Sequence, residues 1–260
     1  MLPFPRMKLF ALSDPHLSFG VPGKSMDRFG AEWVNHPGKI RANWEKAVGP
    51  DDVVAVTGDI SWAKKFETAL ADLQWIGELP GRKVILRGNH DIWWPSASLL
   101  ERELHPSISF IQNNHVRIGP FIFFGSRMWD TEEYSVFDLI EWDPKKGAIP
   151  GVKSGGDLKE QERIYDRELM RLKLSVDSVP ADMPGVRIGL SHYPPLDHKL
   201  KPSRASALYA QAGARHVIFG HLHSVKKEMQ GIAFGELQGV VYHLVSCDYL
   251  DYAPKLICEA

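Results

Sequence analysis

The chain has 260 residues, 44% of them hydrophobic and 24% charged, enough to bury the core of one large domain or of one domain with a modest insertion. With 31 basic against 32 acidic residues the net charge is −1, so no global field draws the chain toward nucleic acid or an anionic membrane. Two cysteines, Cys247 and Cys258, make no disulfide framework, and no stretch approaches the roughly 18 apolar residues of a membrane span.

The opening residues, Met1 to Arg6, lack the apolar region and cleavage site of a signal peptide. A strand is expected almost at once, over 8–13, and the expected setting is cytoplasmic. Further strands are predicted over 53–57, 83–87, 108–112, 116–118, 121–124, 187–191, 216–219 and 240–246. Each is short, rich in Val, Ile and Phe, and bounded by Gly, Pro, Asp or Asn. Helices are expected over 40–48, 63–79, 96–104, 158–174 and 203–212. In the second of these Phe66, Leu70, Leu73 and Ile76 recur at helical spacing.

Strand and helix alternate in the first half, which implies parallel βαβ units. The strands near 108–124 and at 240–246 imply antiparallel additions. Two sheets stacked face to face, with helices outside, accommodate both patterns. The segment 129–156 interrupts the alternation with aromatics, acids, Pro144, Pro150 and Gly151. It reads as a loop leading into the next helix, an insertion over about 129–176 of a single domain spanning 1–260.

Five fragments stand where predicted hydrophobic strands end: Asp14-Pro15-His16, Gly58-Asp59, Gly88-Asn89-His90-Asp91, His192 and Gly220-His221-Leu222-His223. Ligands of open α/β sheets bind beyond the carboxyl ends of the strands, so five such ends can converge on one point. They would bring three carboxylates, one amide and five imidazoles. Asp14 and His16 share a side of an extended chain, because side chains alternate with period two. Gly58 lets the backbone come close to whatever Asp59 binds. Mixed nitrogen and oxygen donors suit two divalent transition metals, Mn, Fe, Zn or Ni, rather than Ca. Such a pair lowers the pKa of a bound water and clamps the oxygens of a displacement at phosphorus.

Together the five fragments resemble the calcineurin-like metallophosphoesterases, whose pattern runs D-x-H, G-D, G-N-H-[D/E], H, G-H-x-H. All five are present between Asp14 and His223, most of the chain. The resemblance implies an α/β fold, a four-layer α/β/β/α sandwich of two mixed sheets flanked by helices. It implies one metal held by Asp14, His16, Asp59 and His223, and a second by Asp59, Asn89, His192 and His221, with Asp59 bridging. It further implies that His90 stands over the phosphoryl group as general acid or transition-state donor, oriented by Asp91. A metal-bound hydroxide would then attack phosphorus directly. Elementary chemistry agrees, since an imidazole N–H stabilises the charge developing on a leaving oxygen.

The run Gly58-Asp59-Ile60-Ser61-Trp62 separates the chain from two branches of that family. Ser/Thr protein phosphatases resemble G-D-x-V-D-R-G and then G-N-H-E; the arginine is missing here, and Asp91 replaces the Glu. Purple acid phosphatases carry a ligating Tyr three residues after the bridging Asp, where this chain has Trp62, whose indole offers only an N–H donor. What remains is a small bacterial-type phosphohydrolase, more often a diesterase of a small molecule or nucleotide.

Trp62, Trp93, Arg127 and Tyr193 are candidate substrate contacts: aromatics beside a phosphate site stack bases or sugars, and a guanidinium forks two phosphate oxygens. A nuclease of the same superfamily is an alternative, against which the net charge argues. A catalytically silent scaffold is another, against which the intact motif set argues.

Overall fold

A computed structural model of the chain describes residues 6–141, 155–229 and 234–260. In chain order its strands and helices are β1 (Lys8–Ala11), α1 (His36–Ala47), β2 (Val53–Val56), α2 (Phe66–Glu78), β3 (Arg82–Leu86), α3 (Ala97–Glu103), β4 (Ile108–Ile111), β5 (His115–Ile118) and β6 (Phe121–Gly125). They continue with α4 (Gly155–Asp177), β7 (Val186–Leu190), α5 (Arg204–Gln211), β8 (His216–Phe219), β9 (Glu236–Leu237), β10 (Val240–Leu244) and β11 (Lys255–Glu259). The stretch 142–154 of the predicted insertion lies outside the described residues.

Runs such as Val53–Val56 are apolar at every position, as a strand covered on both faces requires, and all four of its residues are buried. Two sheets result, with orders β11-β1-β2-β3-β4 and β5-β6-β7-β8-β10-β9. In the first, β1 to β4 are parallel and β11 joins β1 antiparallel. In the second, β6, β7, β8 and β10 are parallel, with β5 and β9 antiparallel at the edges.

Leu9, Ala11, Val53 and Val84 of the first sheet pack against Phe121, Phe123, Ile188 and Ile218 of the second. The first sheet's other face takes Ile40 and Trp44 of α1 and Leu73 and Ile76 of α2. The second sheet's other face takes Tyr165 and Leu172 of α4 and Tyr209 of α5. The molecule is therefore the expected four-layer α/β/β/α sandwich. Each large side chain so buried contributes about 1.5–3 kcal/mol.

Three differences from the sequence reading have physical causes. Helix α1 starts at His36 rather than 40, because Pro37 sits in the first turn, where its missing N–H costs nothing. The strand ending at Leu244 runs parallel to β8, because the long connection from Phe219 lets the chain recross the sheet; its antiparallel partner is the two-residue β9. Strand β11 was not expected, because its half-exposed edge position demands little apolar patterning.

Lys83 is fully buried at the first sheet and donates to the carbonyls of Gly77, Leu79 and Gly81 at 2.8, 2.6 and 2.9 Å, capping α2. Burial pulls its pKa down to about 8. Cys247 and Cys258 are free thiols. Among the described residues no helix is long and apolar enough to cross a membrane.

The parallel strands of both sheets point their carboxyl ends to the same edge, and there the sheets are tied together. Ser13 and Ser246 form a bridge, with Ser13 N donating to Val245 O at 2.7 Å and Cys247 N to Ser13 O at 2.9 Å. Every predicted motif leaves a strand at this edge.

Candidate metal centre

The chain turns sharply as it leaves β1, β2 and β8. Asp14, His16, Asp59 and His221 all adopt left-handed backbone, with φ of 57°, 42°, 50° and 70°. For residues other than glycine this costs on the order of 1 kcal/mol each and persists only where surroundings enforce it. Here Asp14 N donates to Gly58 O and His16 N to Asp59 O, both at 3.0 Å, lacing the first two turns together. Neighbouring glycines let the carboxylates in. A Cβ on Gly88 would stand 2.1 Å from Asp59 Oδ1, and one on Gly220 would stand 2.2 Å from Asp14 Oδ2. At Gly58 the close approach is to Gly88 Cα and His192, so that glycine admits the neighbouring loops.

The seven predicted ligands meet in one network. Asn89 Oδ1 lies 2.8 Å from His192 Nε2 and 3.1 Å from His221 Nδ1. His192 Nε2 is 3.5 Å from Asp59 Oδ1, and His16 Nε2 is 3.7 Å from Asp59 Oδ2. His16 Nε2 faces His223 Nε2 at 3.1 Å, and that atom is 3.9 Å from Asp14 Oδ1. Two groups have the mutual spacing of a metal's ligands: Asp14, His16 and His223, and Asp14, Asp59 and His192. In the second, Asp14 joins His192, a pairing the family pattern does not contain.

The donor set fits metal ions. Asp14 and Asp59 are buried, and among the described residues no Lys or Arg pairs with either. The buried Nδ1 of His16 makes no hydrogen bond. Burial raises Asp14 to about 6 against the lowering charge of His223, and raises Asp59 well above the usual range, helped by Asp14 and Asp91. Burial and neighbouring histidines hold His16 and His192 well below the ordinary imidazole range. The neutral imidazole is the state in which His16 and His192 bind cations.

Two tautomers are set by outer contacts. His192 Nδ1 meets Thr57 O at 3.0 Å, which turns the Nε2 lone pair inward. His223 Nδ1 meets Asp248 Oδ1 at 2.8 Å, and Asp248 Oδ2 accepts from Ser224 N at 3.0 Å. Against burial, which pulls it down, the charge and bond of Asp248 together with Asp14 and Asp59 hold His223 up to about 9. Sequence reasoning missed Asp248. It follows the end of β10 as the other motifs follow theirs, and that position was the available signal.

His90 is exposed at the mouth of the crevice, and its backbone N donates to Asp59 Oδ1 at 2.8 Å. Its ring lies 5.6 Å from that of His16 and 4.8 Å from that of Trp62. Partial enclosure, then the charges of His223 and Lys24, lowers its pKa. The expectation that Asp91 orients His90 is corrected. Asp91 is fully buried and accepts from Gly88 N, Ile60 N, Ser61 N and the Trp93 indole at 2.8, 2.9, 3.2 and 3.0 Å. Its oxygens stitch the loops after β2 and β3 together, and none of these bonds goes to the His90 ring.

Trp93 as a substrate contact is also corrected: it is 3% exposed, bonded to Asp91 and stacked near Phe66 in the core. Trp62 is half-buried and stacks on His16, centroids 4.9 Å apart, at the site's edge. Tyr193 packs 3.9 Å from the His221 ring and lines a cleft of about 740 Å³ with Trp129, Tyr134, His221 and His223. Arg127 turns away from that cleft. Its side chain lines a neighbouring cavity and pairs with Glu168 at 3.1 Å, while its carbonyl receives His192 N at 3.1 Å and Tyr193 N at 2.8 Å. His36, to which the sequence assigned no role, is buried and bonded to Pro15 O at 2.9 Å and Trp33 O at 3.2 Å, bracing the first turn.

A family model for calcineurin-like phosphoesterases matches residues 7–225, and the chain belongs to that family. Solved structures share the fold. One is a phosphopantetheinyl hydrolase (PptH) from Mycobacterium tuberculosis, 12% identical, with a TM-score of 0.51 over 97% of this chain and 96% of that one. Another is TT1561 of Thermus thermophilus, 15% identical, with a TM-score of 0.50 over 97% and 99%. At such identities the likeness is one of fold alone. Among curated sequences, the Gene 66 proteins of Mycobacterium phages L5 and D29 are 39% identical over 56 residues and 34% over 79. These matches cover 22% and 30% of this chain, and 27% and 38% of those relatives' length.

Proposed function

We propose that the protein is a metal-dependent phosphoesterase that hydrolyses a phosphate ester of a small molecule or nucleotide, with a diester as the favoured substrate. The observation that carries the reading is the convergence of Asp14, His16, Asp59, Asn89, His192, His221 and His223 from five strand ends of both sheets. One metal would be held by Asp14, His16, Asp59 and His223, the other by Asp59, Asn89, His192 and His221, with Mn, Fe, Zn or Ni all compatible with these donors. Two such cations supply Lewis acidity and a water acidified toward neutral pH.

The chain's own residues do the rest. Left-handed residues in the turns after β1, β2 and β8 hold Asp14, His16, Asp59 and His221 in place before any substrate arrives. His90, at the mouth and free of metal-type contacts, is placed to donate its ring N–H to the leaving oxygen as charge develops there, a role that the neutral imidazole favoured by its lowered pKa can fill. Trp62 and Tyr193 wall the crevice on either side and exclude water from the reacting group.

The adjoining cleft supports a small substrate. Asp130, Glu132 and Glu133 line it with Lys201, and an acidic rim of this kind repels a nucleic-acid polyanion. Free Cys247 and Cys258 support a reducing, cytoplasmic setting for the same reading.

The test is hydrolysis of bis(p-nitrophenyl) phosphate and p-nitrophenyl phosphate by Mn-loaded wild type and Asp59→Asn. The expected result is diester turnover that Asp59→Asn abolishes. Monoester preference would overturn the diester assignment. Absence of turnover with Mn, Zn, Fe and Ni alike would overturn the enzyme.

A further inference from the structure

One strand away from the crevice, at the carboxyl ends of β3, β4 and β6, lies a second and smaller cavity of about 110 Å³. At roughly 30 Å³ per water it holds three or four waters, or one tetrahedral oxyanion. Arg87 follows β3, Arg127 follows β6, and Arg171 reaches in from α4; all three line it. Among the described residues Glu168, 1% exposed, is the sole carboxylate in its wall.

The charges do not balance. Glu168 Oε1 accepts from Arg127 Nε at 3.1 Å and from Arg171 at 2.7 Å, and its Oε2 accepts from Ser126 Oγ at 2.6 Å. One carboxylate is thus shared between two guanidiniums and a hydroxyl. Arg87 has no share in it: its Nε donates to the main-chain oxygen of Asp91 at 3.2 Å. Among the described residues the terminal nitrogens of Arg87 and Arg127 make no hydrogen bond to a protein acceptor. The Arg127 guanidinium is fixed in direction by stacking 4.6 Å over Trp129 and by Glu168, so its free edge is preorganised.

We propose that this cavity is a binding site for a compact oxyanion, a phosphate-sized group held by Arg87, Arg127 and Arg171 with Glu168 as their spacer. Guanidinium forks match tetrahedral oxyanions and make short charge-assisted bonds to them. The backbone of Arg127 carries His192 and Tyr193, and Arg87 precedes Gly88, so an occupant sits directly behind two of the crevice loops. The oxyanion is either a free ion or a second anionic group on the substrate of the crevice.

Calorimetric titration of inorganic phosphate into the full chain, after chelation to silence the crevice, tests the site. One saturable site per chain is expected. Arg127→Gln and Arg171→Gln are each expected to weaken it at least about tenfold, and Arg127→Lys less so. Arg171 is 40% exposed on α4, so its variant is expected to fold even if the Arg127 variant does not. No saturable binding, or wild-type affinity in folded Arg171→Gln, overturns the site and leaves the reading of the crevice untouched. A second arm assigns the source. In the metal-loaded enzyme, the ratio of KM values for p-nitrophenyl and 4-carboxyphenyl phosphate is compared between wild type and Arg171→Gln. A shifted ratio assigns the anion to the substrate, and an unshifted ratio assigns it to a free ion.

Discussion

On the first-sheet side of the crevice, one buried carboxylate ties the loops after β2 and β3 to each other. Asp91 does this through three main-chain N–H groups and an indole. On the second-sheet side two imidazoles have outer partners of their own, His192 in Thr57 O and His223 in Asp248, while Asn89 Oδ1 lies against both His192 and His221. The first side is a single main-chain assembly, in which a change to Asp91 releases the loops after β2 and β3 together. The second rests on side-chain and carbonyl contacts, among which that of Asp248 with His223 is adjustable alone. A dinuclear site gains from both, since the loops fix where donors stand and the partners fix which nitrogen faces inward.

Asp91→Ala should break the first side. It strands three main-chain N–H groups in a dry interior, and a stability loss of about 3–5 kcal/mol is expected in urea denaturation. A loss under about 1 kcal/mol would mean that Asp91 is no organiser of the loops.

Asp248→Asn should perturb the second side locally. Metal affinity is expected to fall about 10- to 100-fold in a chelator competition, with a stability change near 1 kcal/mol in the metal-free protein. Equal metal affinity in the two proteins would remove Asp248 from the site.

The smallest expected effect lies in the second sheet away from the crevice. His243 is buried beside His216, ring nitrogens 3.1 Å apart, and burial, Lys255 and His216 pull its pKa down to about 3. Below the unfolded value of 6.5 the unfolded chain takes up a proton that the folded chain refuses. Stability should therefore fall as pH drops from about 6.5 toward 3, by about 2 kcal/mol at pH 5. His243→Gln should flatten that slope in urea titrations at pH 7 and pH 5; an unchanged slope would place the sensitivity elsewhere.

Much of the fold was legible because short strands buried on both faces leave uninterrupted apolar runs, as at Val53–Val56 and Phe121–Gly125. Two edge strands were not legible: β9 and β11 are half-exposed, so packing demands little of their residues. The expected ligands were legible because each directly follows a strand, where local pattern predicts position. Trp93 misled because a Trp beside a catalytic-type loop reads the same whether it faces the cleft or the core.

The sequence by itself determined the donor set, the order of its five fragments and their place at strand ends, since these depend on residue type and on periodicities of two and 3.6. Only the tertiary structure decided that Asp91 serves the main chain, that Asp248 steadies His223, and that Arg127 reaches Glu168 beside Arg87. Several of those contacts join residues far apart in sequence: Asp91 and Ile60 by 31 positions, His223 and Asp248 by 25, Arg127 and Glu168 by 41. They depend on how β10 is threaded beside β8 and on where α4 docks against β6, and neither choice leaves a local mark on the residues that meet.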